Sequence, residues 1–153
     1  MLAKAGCTEV ATYVQSGNAV FTTDRDVEPL AAALEAALER YMGRPISTTL
    51  RTREELAAIV AGNPFAGVAD NPSRLCVTFL SHPPEPAEVA PLRARDWSPE
   101  RVHLAGREIY TWHPNGQGNS VLAQTLGKLR VRGALTTRNW NTVEKLLEML
   151  GEG

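Results

Sequence analysis

Two β-rich runs, residues 10–14 (Val-Ala-Thr-Tyr-Val) and 19–23 (Ala-Val-Phe-Thr-Thr), flank Gln15-Ser16-Gly17-Asn18 near the start of the chain. Glycine accepts the positive φ of a tight turn, and branched or aromatic side chains favour a pleated strand. The spacing predicts a β-hairpin, and a hairpin constrains the rest of the fold. A two-stranded ribbon is marginal in water, so its apolar face has to be covered by helices or joined by more strands.

The next residues offer such cover. Asp24 or Asp26 is placed to cap a helix with Pro29 in its first turn, and Val27, Leu30, Ala31, Leu34, Leu38, Tyr41 and Met42 form one 3.6-period stripe. Gly43 and Pro45 end it, and residues 46–50 read as a short strand. Thr52-x-x-Glu55 is a capping box opening a helix with Leu56, Ile59 and Val60 inward. Gly62-Asn63-Pro64 breaks that helix, and Phe65 is expected to plug the core beside it.

Residues 67–73 are small and polar and mark the best internal boundary. Residues 1–66 are then an amino-terminal half, 67–73 a linker and 74–153 a carboxy-terminal half. The second half opens with a buried strand at 75–80. Pro83, Pro84, Pro86 and Pro91 restrict the following segment to a short, irregular helix around Glu88. A second hairpin is predicted from strands 101–104 and 107–112 about an Ala105-Gly106 turn. After the loop at 114–119, Ser120 starts a helix whose inward stripe is Val121, Leu122, Thr125, Leu126 and Leu129. A final helix carries Trp140, Val143, Leu146, Leu147 and Leu150 on one face. Residues 2–5 read as the end of a helix stopped by Gly6.

The fold class implied is α+β, with two ferredoxin-like halves, each a split βαβ plan with helices on a small antiparallel sheet. The first half is incomplete at its amino terminus, lacking an opening strand and most of a helix. Its sheet is expected to carry an unpaired edge, open to a strand from a second copy.

Composition narrows the class further. Of 153 residues, 43% are hydrophobic and 22% charged, with a net charge of −1, which excludes a disordered chain. No apolar run approaches the ~20 residues of a membrane span, and the first residues lack the apolar core of a secretory signal. Cys7 and Cys76 allow at most one disulfide. The expected location is cytoplasmic. The near-zero net charge hides an asymmetry. Arg101, Arg107, Lys128, Arg130, Arg132 and Arg138 stand against Glu108 alone between residues 101 and 138, while residues 1–92 are net acidic.

Three stretches carry a family resemblance. They are residues 12–21 (Thr-Tyr-Val-Gln-Ser-Gly-Asn-Ala-Val-Phe), Pro114-x-Gly116-x-Gly118-x-Ser120, and residues 136–143 (Thr-Thr-Arg-Asn-Trp-Asn-Thr-Val) followed by Lys145-Leu146. In order and spacing the chain resembles the bacterial family named domain of unknown function 1697. The resemblance implies an α+β protein with ferredoxin-like halves and carries no assigned activity. Similar proteins begin earlier, with a further strand and helix, so the chain reads as shortened. They also tend to have a lysine after the serine of the glycine loop, where Val121 stands here.

Candidate chemistry centres on these stretches. The loop with Gly116, Gly118 and Ser120 enters a helix, where backbone N–H groups and the helix dipole favour an anion, with Arg130, Arg132 and Arg138 near in sequence. It is neither a P-loop nor a dinucleotide fingerprint, and the alternative is a plain loop capped by Ser120. Trp140 belongs to the apolar stripe. Arg138, Asn139 and Asn141 fall off it and either cap the helix, with Asn141-x-x-Glu144 at capping-box spacing, or present a guanidinium and amides to a ligand. Gln15, Ser16 and Asn18 either serve their own turn or read a polar ligand at the hairpin tip.

Other signals are weaker. His113 is the one plausible acid–base group, and Cys76 sits in an apolar run where a thiol is usually inert. Tyr110 and Trp112 share one strand face, which stacks bases if exposed and is core if covered. No spacing suggests a metal site, and no cofactor is implied. The leading functional expectation is a binding module for an anionic ligand, a nucleotide or nucleic acid, centred on residues 110–141. The alternatives are an enzyme for a phosphorylated or carboxylated metabolite using His113 with Arg138, and an interaction module working through its sheet edge, as a homo-oligomer.

Overall fold

The computed structural model describes residues 8–12, 18–23, 26–44 and 48–151. It is an α+β fold with five helices, a four-stranded antiparallel sheet and a separate two-stranded ribbon among these residues. The ribbon is the expected hairpin: β1 (Thr8–Thr12) pairs antiparallel with β2 (Ala19–Thr22), Thr12 facing Ala19. The expected turn residues Gln15, Ser16 and Gly17 and the helix end at 2–5 lie outside the described residues.

Helix α1 (Val27–Met42) starts at Asp26, whose side chain makes no capping hydrogen bond, and ends at Gly43 with φ of 73°. Leu30 and Leu34 are buried against Phe21 and Leu50. The expected inward stripe stops there: Tyr41 is 75% exposed and Met42 48%, because no described element covers the last turn. The strand expected at 46–50 does not form over 48–50, where no described strand pairs with it, and 46–47 lie outside the described residues.

Helix α2 (Arg53–Ala61) has the capping box read from the sequence: Thr52 Oγ1 accepts from the Glu55 N–H and the Glu55 carboxylate accepts from the Thr52 N–H. After a 3-10 turn at Pro72–Arg74 the main sheet begins with β3 (Leu75–Leu80), all of whose residues are buried. The short helix expected around Glu88 forms instead as α3 (Ala90–Arg93), where Pro91 is tolerated in the first turn. The second hairpin joins β4 (Arg101–Ala105) to β5 (Glu108–Trp112); its turn is Gly106-Arg107, one residue later than expected, since the φ of 59° falls on Gly106.

Helix α4 (Val121–Gly127) follows, capped by Ser120, with Leu122 and Leu126 buried. Val121, expected inward, is 50% exposed. Then comes β6 (Leu135–Asn139), a strand the sequence did not signal, and α5 (Trp140–Leu150). Asn139, not Asn141, caps α5, since its Oδ1 accepts the Thr142 N–H.

The strand order is β4-β5-β3-β6, so β3 is central and pairs antiparallel with both β5 and β6. Strand alternation divides the core. Leu75, Val77, Phe79, Tyr110 and Trp112 face α2, Phe65 and α5, whose Leu56, Ile59, Trp140 and Val143 complete that layer. Leu80 and Ile109 face the other way, against Leu92 of α3, Trp97, and Leu122 and Leu126 of α4. Tyr110 and Trp112 are therefore core residues under helices, and the Tyr110 hydroxyl donates to Ile59 O.

Candidate functional site

The chain leaves β5 at His113, whose N–H donates to Arg74 O, and enters the glycine loop. Neighbouring groups stitch the loop down. Arg74 Nη1 donates to Pro114 O at 2.6 Å, Gly116 N–H to His113 O at 2.9 Å, and Gln117 Nε2 to Ser73 O at 2.8 Å and Cys76 Sγ at 3.1 Å. Gly116 adopts φ of 85°, which favours glycine. Burial pushes the Cys76 thiol pKa up, against the Gln117 hydrogen bond, so this cysteine is a poor nucleophile.

Beneath the loop lies a polar cluster invisible in the sequence. His113, 1% exposed, has Nδ1 2.6 Å from Glu100 Oε2 and Nε2 2.9 Å from Thr111 Oγ1. Ser120 Oγ donates to the same Glu100 oxygen while accepting the Ala123 N–H at 3.0 Å. The ring donates from Nδ1 to Glu100 and shares a second hydrogen bond with the Thr111 hydroxyl through Nε2, so both ring nitrogens are engaged. The hydroxyl of Ser120 is thus committed, and a carboxylate stands where an anion at the start of α4 would sit. These are the bonds of a structural loop.

His113 and Arg138 do not converge. Arg138 and Tyr110 both pair with Val77 and share its face, whereas His113 hydrogen-bonds Thr111, which points to the opposite face. Period-two alternation separates them by the thickness of the sheet, and an acid–base pair made of these two side chains does not form.

A different meeting does form. Arg138 Nε donates to Asn18 Oδ1 at 2.8 Å, across 120 positions of sequence, and Nη1 donates to Thr137 O at 2.8 Å. The hairpin motif and the β6–α5 motif thereby meet at one place. Strand β6 positions the guanidinium, and α5 contacts β2 alongside. Burial lowers the Arg138 pKa, without removing its charge at neutral pH. Asn139 is committed to the cap of α5, Trp140 is buried, and Asn141 is exposed beside them. Arg130 is exposed on the segment before β6, Gly118 is exposed on its loop, and Gln15 and Ser16 lie outside the described residues. A groove of about 400 Å³ between α2 and α5, lined by Arg53, Val60, Glu144, Leu147, Glu148 and Gly151, touches none of these candidates.

Sequence reasoning missed Glu100 and Thr111, and also Arg51. The Arg51 guanidinium, side chain 6% exposed, pairs with Glu108 at 2.8 Å and donates to Leu80 O and Arg107 O, tying the entry of α2 to the β4–β5 turn. Arg107, counted in the basic segment, pairs with Glu55 at 2.7 Å. No helix among the described residues is long and apolar enough to cross a membrane.

The fold is similar to that of the conserved bacterial protein SP0830 from Streptococcus pneumoniae, with a TM-score of 0.80 and 21% sequence identity, over 99% of this chain and 85% of that one. No curated protein matches the sequence. The family described as "Protein of unknown function (DUF1697)" matches residues 1–110, a span that contains the hairpin motif and stops before the glycine loop and the β6–α5 motif. With a match over more than half its length, the chain belongs to the DUF1697 family.

Proposed function

We propose that this protein is a binding module for an anionic ligand of the nucleotide or nucleic-acid class, with its site at the junction of the β1–β2 hairpin and the β6–α5 connection. The observation that carries the reading is the Arg138 Nε to Asn18 Oδ1 hydrogen bond, which joins two sequence motifs around a half-buried guanidinium. A guanidinium held from the side by an amide is oriented for a phosphate or carboxylate and retains its charge. The glycine loop is demoted, because Glu100 stands beside Ser120. The enzyme reading loses its acid–base group, since both His113 nitrogens are engaged inside the core.

A fold reading accompanies it. The order β3, α3, β4, β5, α4, β6, with the first and third strands central, supports describing residues 75–139 as one ferredoxin-like unit. The second functional reading is association of copies through the β1–β2 ribbon, which is two-stranded among the described residues and marginal on its own.

The test is nucleotide binding followed by amide chemical shifts and calorimetry. A nucleoside triphosphate should perturb Asn18, Arg138 and Asn141 and spare the α3–α4 face, and Arg138→Ala should weaken binding at least tenfold while the protein stays folded by circular dichroism. Identical affinities of the native chain and Arg138→Ala would overturn the reading.

A further inference from the structure

We infer that the segment between α4 and β6, continued along the edge of β6, is a track for the phosphodiester backbone of a single-stranded nucleic acid. The inference rests on the anion-binding reading above and extends it from a nucleotide-sized ligand to a polymer. Residues 128–132 alternate in exposure. Leu129 and Val131 pack against the core under α3 and α4, while Lys128, Arg130 and Arg132 are exposed. The inward apolar pair holds the three cations outward.

The segment is also anchored. The Glu88 carboxylate accepts the Arg132 N–H at 2.7 Å, and Ser81 Oγ accepts the Ala134 N–H at 2.8 Å. Gly133 between them has φ of 82°, and a Cβ there would displace the side chains of Ser81 and His82, so the turn favours glycine. The ion pairs Arg51–Glu108, Arg107–Glu55 and Lys145–Glu148 among the described residues engage none of the three cations. Glu88, beneath the Arg132 backbone, offsets part of one charge.

Strand β6 begins just beyond this turn and forms one edge of the sheet. At ~3.3 Å per residue, Arg132 and Arg138 are separated by at most about 20 Å along it. Arg132 precedes β6 on the α3–α4 side and Arg138 lies near the end of β6 on the Val77 side, so the path between them crosses the sheet edge, a span that several linked phosphates cover and a single nucleotide does not. Tyr110, Trp112 and Trp140 are buried and offer bases no stacking surface. Binding is therefore to backbone charge, steep in salt and indifferent to base sequence.

The experiment is fluorescence anisotropy of a labelled single-stranded oligonucleotide with the full chain across a salt series. The expected log–log slope for four phosphate contacts is about −3, and combined Lys128→Ala, Arg130→Ala and Arg132→Ala substitution should flatten it by about 2. Nucleoside triphosphate binding should be unchanged in that variant. An unchanged slope in the triple variant, absence of oligonucleotide binding at low salt, or equal binding of a polyglutamate of matched charge would each overturn the track. The anion site is judged separately, by the effect of Arg138→Ala on nucleotide binding.

Discussion

The imidazole of His113 meets Glu100 with Nδ1 2.6 Å from Oε2, and that single carboxylate oxygen also takes the Ser120 hydroxyl. Three pieces of chain separated in sequence, the start of β4, the end of β5 and the cap of α4, are tied at this point. Glu100→Ala leaves a buried ring N–H and a buried hydroxyl without their acceptor, at a cost of about 1–3 kcal/mol. Glu100→Gln keeps one acceptor and should cost less. Urea denaturation midpoints rank the two variants; equal midpoints for Glu100→Ala and the native chain would refute the arrangement.

Arg51 sets up a second asymmetry. Its guanidinium is nearly enclosed, lies 5.4 Å from the Phe79 ring centroid, and has Glu108 as its ion-pair partner. Desolvation lowers its pKa, and the hydrogen bond and charge of Glu108 oppose that. Removing the carboxylate with Glu108→Ala leaves the enclosed guanidinium with only the carbonyls of Leu50, Leu80 and Arg107 and should cost about 3 kcal/mol, more than an exposed pair such as Lys145–Glu148 is worth. Thermal melting of Glu108→Ala beside Glu148→Ala makes the comparison directly.

Two glycines with similar backbone angles should respond differently to alanine. Gly43 has φ of 73° and open space where a methyl would stand, whereas at Gly133, φ of 82°, the methyl would meet Ser81 Oγ at 2.1 Å and His82 Nδ1 at 2.5 Å. Gly43→Ala incurs the left-handed backbone penalty alone, about 1 kcal/mol. Gly133→Ala adds displacement of Ser81 and should be the more destabilising by denaturant titration. It should also speed hydrogen exchange at Ala134, whose N–H uses Ser81 Oγ.

Acid should weaken the fold through Glu55. Desolvation acts to raise its pKa, but the Thr52 N–H and the Arg107 and Arg51 charges outweigh it, and the carboxyl sits below its ordinary value. With a depressed folded pKa, the unfolded chain takes up the proton first as pH falls. The stabilisation is present above the ordinary glutamate range and is lost as pH drops through the folded value. Stability measured against pH should decline on acidification, and Glu55→Gln should show a shallower decline.

Much of the local structure was legible because local chemistry decides it. Thr52 and Glu55 lie one helical turn apart, and their capping box needs nothing distant. Gly43 ends α1 by its own φ, and Ser120 caps α4 by reaching the N–H three residues on. The hydrophobic periodicity of α5 placed Trp140 and Val143 in the core. The failures share a different cause. The Leu-Thr-Thr-Arg-Asn run of β6 has no alternation to announce a strand; it is one because β3 offers it a ladder. Tyr41 and Met42 continue the α1 stripe in sequence and stand exposed because no described element reaches them.

The candidate site divides along the same line. The sequence alone determined that the chain is α+β, the capping box of α2, the Ser120 cap of α4 and the glycine stop of α1, and that Asn18 and Arg138 belong to unusual motifs. Which side chains meet was decided only by tertiary structure. Strand pairing set Arg138 on the face of Val77 and left His113 on the other, and folding brought Asn18 to Arg138 across 120 positions. Local hydrogen bonds form between neighbours in the chain and leave a sequence signature. Contacts between distant residues depend on register, and a shift of one residue would exchange the faces of the sheet.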